Sequence, residues 1–135
     1  MSVYVDTSAF LAVLNADDRF HARARRRWHQ LIEAGRSLIC NNYVLVETIA
    51  VIQNRLGMDA VIAFQNDVRP ILTILWVDED LHQRAVSALL AARRRRLSLV
   101  DCASFESMIQ AGMRQVFAFD THFEEQGFEV YSLPD

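Results

Sequence analysis

The residues in this chain best placed to do chemistry are Asp6, Glu47, Asp101 and Asp120. Asp6 follows the run Val3-Tyr4-Val5, and Asp120 follows Val116-Phe117-Ala118-Phe119. Glu47 lies among Tyr43, Val44, Leu45, Val46, Ile49 and Ala50, and Asp101 among Leu97, Leu99, Val100, Cys102 and Ala103. A carboxylate embedded in apolar sequence needs a partner once it is buried. Few basic residues lie near these acids in sequence, apart from the arginine run at 93–96. Converging acids repel one another, and a hard divalent cation resolves the repulsion. Magnesium and manganese take oxygen ligands, usually from one or two carboxylates, with water and substrate phosphate completing the shell. No His or Cys cluster points to zinc, because His21, His29, His82 and His122 are scattered. Each acid also has a plainer reading. Asp6 and Asp101 could be helix caps, Asp120 a turn residue, and Glu47 the partner of Arg55 or another arginine.

The elements that must position these acids follow from pattern. Val3-Tyr4-Val5 reads as a strand, and Ser8 or Thr7 can cap a short apolar helix over Ala9–Leu14. Phe20, Ala24, Trp28, Leu31 and Ile32 recur at helical spacing, which predicts a helix from about Arg19 to Ala34, stopped at Gly35. A strand over Ser37–Cys40 leads to a helix over Tyr43–Leu56, capped by Asn41 or Asn42 and ended by Gly57. A further helix over Asp59–Val68 closes at Pro70. Strands are predicted over Ile71–Val77, Val116–Phe119 and near Phe128–Tyr131. Helices are predicted over Asp80–Arg94, over Val100–Ala111 ending at Gly112, and near His122–Gln126. Strands alternating with helices predict an α/β fold, a mostly parallel central sheet flanked by helices. Asp6 and Asp120 then sit at carboxyl ends of strands, where ligands bind such sheets. Glu47 and Asp101 sit near helix starts.

The chain of 135 residues is read as one domain, with 52% hydrophobic residues to build a core. No segment is apolar enough to cross a membrane, and the N-terminus lacks the basic region of a signal peptide. Cys40 and Cys102 are expected to be buried and reduced, and the expected location is the cytoplasm. Net charge is −3, which does not advertise a nucleic-acid binder. Distribution says more. All fourteen basic residues are arginine, which suits phosphate, and several form runs at 25–27, with Arg23 just outside, and at 93–96. The first run reads as the solvated face of an amphipathic helix. For the second, a phosphate-contacting flank and a solvated helix end both stay open. The aromatic residues read as core, and His122 has no assigned role.

The four acids in their settings resemble the PIN-domain family, and most closely the VapC-type toxins of prokaryotic toxin–antitoxin pairs. The motifs are Val3-Tyr4-Val5-Asp6-Thr7-Ser8, Val44-Leu45-Val46-Glu47-Thr48, Leu99-Val100-Asp101-Cys102-Ala103 and Phe119-Asp120-Thr121-His122-Phe123, in that order over nearly the whole chain. Many members carry a further Asp or Asn after the last acid, where this chain has Thr121 and His122. The resemblance implies a PIN-like domain over residues 1–135 that cleaves RNA with Mg2+ or Mn2+. It implies metal ligation by Asp6, Asp101, Asp120 and Glu47. Ser8 or Thr7 would bond a carboxylate or a substrate phosphate, and Arg93, Arg94, Arg95 and Arg96 would meet the RNA backbone. It implies a small antitoxin partner and a homodimer, and leaves a tRNA, an rRNA loop and an mRNA open as targets. A haloacid-dehalogenase-type phosphatase also opens with a strand and an Asp. It needs a second Asp where Ser8 stands, and a lysine, of which this chain has none. A non-catalytic module of the same fold is the other alternative, and intact acids at all the motif positions argue against it.

Overall fold

The β-branched and aromatic run Val3-Tyr4-Val5 favours extended backbone. In the computed structural model, which describes residues 1–131, it forms β1 (Ser2–Val5), the central strand of a five-stranded sheet. The others are β2 (Ser37–Asn41), β3 (Leu72–Leu75), β4 (Gln115–Phe117) and β5 (Glu129–Val130). The order is β3-β2-β1-β4-β5, and every pairing is parallel. Tyr4 stands opposite Ile39 on one side and Val116 on the other. Parallel pairing requires a crossover between strands, and the helices supply it. They are α1 (Thr7–Leu14), α2 (His21–Glu33), α3 (Asn42–Leu56), α4 (Met58–Ala63), α5 (Glu79–Ala92), α6 (Leu99–Gln110) and α7 (His122–Glu125). With both faces of the sheet covered, Val3, Tyr4 and Val5 are all fully buried. The α/β architecture expected from the pattern is the one observed.

Several boundaries differ from the sequence reading, each for a long-range reason. The cap of α1 is Asp6, not Ser8 or Thr7, because the Asp6 side chain accepts from the Ser8 backbone N–H. Asn41 caps α3 through Val44 N. The third strand stops at Leu75, short of Val77. There Asn42 Oδ1 accepts from Val77 N at 2.6 Å, and Asp78 starts α5 by accepting from Leu81 N. The fourth strand stops at Phe117, because Phe119 N donates to Ser8 Oγ instead of to a neighbouring strand. Gly35 and Gly112 end α2 and α6 as expected, with φ of +65° and +68°. The helix ahead of Pro70 loosens into a π turn over Phe64–Val68 and a 3-10 turn over Arg69–Ile71.

Phe64 in that π turn is fully buried, with its ring edge-on to Phe10 at 5.4 Å. Both cysteines are buried free thiols, and burial pushes Cys40 up to about 12. Among the described residues, no helix is long and apolar enough to cross a membrane. Because Phe64 closes the core under α1, Phe64→Ala is expected to cost about 3–5 kcal/mol. The measurement is a shift of the urea midpoint at unchanged slope. A loss below about 1 kcal/mol would show that the π turn lies outside the cooperative core.

Candidate active site

Adjacent strands bring distant residues together at the carboxyl edge of the sheet. β1 and β4 are neighbours, so Asp6, the residue after β1, meets Asp120, just beyond β4. Asp101 lies in the first turn of α6, and Glu47 lies in the early turns of α3. Asp6, Asp101 and Asp120 each offer a carboxylate oxygen, and the three oxygens lie within 4.8 Å of one another. Glu47 borders this group. It feels the charges of Asp101 and Asp120 and is hydrogen-bonded by Thr7. Among the described residues no salt bridge joins Glu47 to Arg55 or another arginine.

Local bonds hold one oxygen of each of the three aspartates. Asp6 Oδ2 accepts from Ser8 N at 3.1 Å and from Ser8 Oγ at 2.7 Å. Ser8 Oγ in turn accepts from Phe119 N at 2.9 Å, which ties α1 to the segment carrying Asp120. Asp101 forms a reciprocal capping box with Ser98: its Oδ2 accepts from Ser98 N and its N–H donates to Ser98 Oγ, each at 3.0 Å. Asp120 Oδ1 accepts from His122 N at 3.0 Å. Thr48 Oγ1 donates to Thr7 Oγ1 at 3.2 Å, so Thr7 links α3 to the start of α1. Asp6 is the cap of α1 and Asp120 a turn residue, as their plainer readings have it, whereas the cap of α6 is Ser98 with Asp101 as its reciprocal partner; these bonds are the means by which the acids are aimed.

Burial and mutual charge act together on three of these acids. Burial raises the pKa of Asp6 well above the usual carboxylate range, and the charge of Asp120 adds to it against the pull of the Ser8 bonds. Burial, then the charge of Asp101, also raises Asp120. Glu47 is raised by burial first, with Asp101 and Asp120 adding to it. A donor set made only of carboxylate oxygen, half enclosed by protein and lacking an ammonium or guanidinium, suits a hard divalent cation.

Around this centre, the structure separates the arginines. Arg93 to Arg96 lie exposed on the turn between α5 and α6, just ahead of Asp101. Arg94 pairs with Glu125 of α7 at 3.2 Å, which anchors the run beside the Asp120 segment. Arg25 and Arg26 are exposed on α2 as expected for a solvated face, but Arg23 is not. Its guanidinium lies 5.9 Å from the Phe20 ring centroid, and Phe20 stacks on Phe119 at 4.8 Å. Phe20, Arg23, Phe119, Asp120, Thr121 and Glu124 line a cleft of about 130 Å³. The sequence offered only an aromatic beside arginines as a signal for it. The His122 side chain is half-buried, with its Nδ1 3.4 Å from Glu125 Oε1 but not in hydrogen-bond geometry with it.

The raised carboxylates set a sign for stability. Asp6, Asp120 and Glu47 have folded-state pKa values above their unfolded ones. Between those values the folded metal-free protein holds more protons than the unfolded chain, so stability falls as pH rises through the window. Mild acidification from neutral pH in chelator should raise Tm. Millimolar Mn2+ at neutral pH should also raise it, by binding the folded state. Asp120→Asn should melt a few degrees higher in chelator and respond less to Mn2+. If that variant melts lower in chelator and the parent ignores Mn2+, the acids do not form one site.

Comparison with known proteins gives this geometry a family. A PIN-domain family model matches residues 3–129. The 23S rRNA-specific endonuclease VapC20 of Mycobacterium tuberculosis, from strains CDC 1551 / Oshkosh and ATCC 25618 / H37Rv, is 32% identical over 127 residues, covering 93% of this chain and 95% of the relative. The crystal structure of M. tuberculosis VapC20, described as a sarcin-ricin loop cleaving toxin, matches with a TM-score of 0.82 at 32% identity. The match covers 94% of this chain and 96% of that one. The match therefore takes in every strand and all the acids at the sheet edge, and the chain belongs to the PIN-domain family, within its VapC-type branch.

Proposed function

We propose that this protein is a metal-dependent endoribonuclease and the toxin of a toxin–antitoxin pair. The observation that carries the reading is the convergence of Asp6, Asp101 and Asp120, with one oxygen of each within 4.8 Å of the others. These residues would hold Mg2+ or Mn2+, with Glu47 reaching the ion through a water or positioning the nucleophile. A divalent cation there supplies an acidified water and offsets the charge that grows on the phosphoryl oxygens. Asp6 and Asp120 keep their separation through Ser8, whose hydroxyl serves both segments. Thr7 orients Glu47. In this reading Ser8 and Thr7 serve the carboxylates first and reach substrate phosphate only as neighbours of them. Attack by water leaves a 5′-phosphate and a 3′-hydroxyl.

The exposed arginines at 93–96 follow the RNA backbone toward Asp101, with Arg94 steadied by Glu125. Since the relatives act on 23S rRNA, an rRNA stem-loop is the first substrate to test. A small antitoxin would insert a guanidinium where the ion binds, which satisfies the same acids. We further propose a cytoplasmic homodimer, with apolar faces of the early helices in contact.

Asp6→Asn and Asp101→Asn are each expected to abolish cleavage of 23S rRNA in Mg2+ or Mn2+ with an unchanged circular dichroism spectrum. Asparagine caps a helix about as well as aspartate, so a lost fold would not be the cause at Asp6. Cleavage within a few-fold of the parent would sink the assignment. Arg95→Ala with Arg96→Ala should raise KM and flatten its salt dependence by about one unit of slope per lost phosphate contact, leaving kcat little changed. In the producing cell, induced expression should arrest growth and Asp6→Asn should relieve the arrest. Equal growth of both strains would remove the toxin role while leaving the nuclease chemistry standing.

A further inference from the structure

The face of α6 that carries Asp101 carries two more polar side chains. Asp101, Ser104 and Ser107 follow one another at a spacing of three, so they form one stripe along the helix. The stripe faces the sheet. Tyr4 of β1 donates from its hydroxyl to Ser104 Oγ at 2.9 Å, and Asn41 of β2 donates from Nδ2 to Ser107 Oγ at 3.1 Å. Tyr4, Asn41 and Ser104 are wholly buried, and Ser107 is nearly so. Tyr4 and Asp6 are two residues apart on extended backbone, with Asp6 at φ −90° and ψ 159°, so their side chains leave the sheet on the same side. The pairs Asp6 with Asp101, Tyr4 with Ser104 and Asn41 with Ser107 are then successive rungs along α6, which reach β1 twice and then β2, where Asn41 lies level with Asp6, two residues past the Ile39 that faces Tyr4. In order along the helix the outer rung is a pair of like charges, and the two inner ones are hydrogen bonds.

We infer that Tyr4–Ser104 and Asn41–Ser107 are positioning pairs that set the separation of the carboxylates at the metal site. The inference rests on the metal reading of the acid cluster, and it adds residues that touch neither ion nor RNA. Without the inner rungs, repulsion between Asp6 and Asp101 acts on the end of α6 with apolar packing alone to hold it against the sheet, the contacts of Arg84 with Glu106 and Gln110 tying α6 only to α5. Apolar contacts tolerate sliding, whereas a buried hydrogen bond loses its value within a fraction of an ångström. Mg2+ needs its oxygen ligands near 2.0–2.1 Å in octahedral arrangement, so the tolerance at the outer rung is small. Asn41 extends the same control to Glu47. Its Oδ1 accepts from Val44 N at 2.8 Å to cap α3, while its Nδ2 holds α6. One amide thereby fixes the two helices that carry Glu47 and Asp101 against each other.

The test separates positioning from plain stability through a double variant. Tyr4→Phe and Ser104→Ala each leave one buried hydroxyl without its partner, so each should lower Tm. Tyr4→Phe combined with Ser104→Ala removes both hydroxyls and should regain most of that Tm. If the pair positions the carboxylates, Mn2+ affinity measured by titration calorimetry stays weakened by about tenfold in the double variant, the low end for residues that support metal ligands. KM for RNA should stay put, because no altered group reaches substrate. Ser107→Ala leaves the Asn41 cap on Val44 in place, removes the other rung, and should weaken Mn2+ in the same direction. A double variant that binds Mn2+ as tightly as the parent overturns the inference. So does Mn2+ affinity that merely follows Tm through the series. A parent that binds Mn2+ and cleaves no RNA overturns the ribonuclease reading alone and leaves this inference standing.

Discussion

Mutual repulsion among carboxylates brought together at a half-enclosed edge is the constraint to which the rest of this molecule answers. Asp6, Asp101 and Asp120 come from three separate elements, and folding forces them to within a few ångströms of one another. In a region of reduced dielectric such a group opposes its own assembly. The fold answers with neutral hydrogen bonds that grip one oxygen of each acid and with a fully buried strand beneath them. The parallel sheet makes this possible. Its central strand ends between two neighbours, so the chain leaves β1 at the one place where acids from β4 and α6 can also arrive.

Ser8 shows how economically the arrangement is held. Its backbone N–H and its hydroxyl both face Asp6, and the same hydroxyl accepts the N–H of Phe119. A single small side chain therefore stops β4, caps nothing itself, and fixes the distance between two acids. A threonine in its place would bring a methyl group into that contact. An alanine would leave the Phe119 N–H without its acceptor and Asp6 Oδ2 with only the backbone N–H of residue 8.

The site was legible in the sequence because charge among apolar neighbours is a conspicuous local pattern. All of its acids could be named from their flanking residues, and the alternating elements fixed the class of fold. What was hidden depended on contacts between distant positions. Whether Asp6, Thr7 or Ser8 caps α1 turns on where β1 stops, and that depends on pairing with Phe117 more than a hundred residues away. Val77 was read into a strand because nothing near it announces that Asn42 takes its N–H. Tyr4 looked like any core aromatic, since the hydroxyl that distinguishes it finds its partner only after α6 has folded back over the sheet. Arg23 read as one of a solvated run because its neighbour Phe20 gives no sign in sequence of stacking on Phe119.

The pairing of β1 with β4 has a consequence for how the protein is made. Asp6 precedes by more than a hundred residues the strand that places Asp120 beside it, because β4 begins only at Gln115. Until then the chain holds β1, β2 and β3 with their helices, but no β4 to place Asp120. The acid cluster therefore cannot assemble on a growing polypeptide until β4 has formed. A fragment that stops before β4 lacks Asp120 and with it the complete cluster.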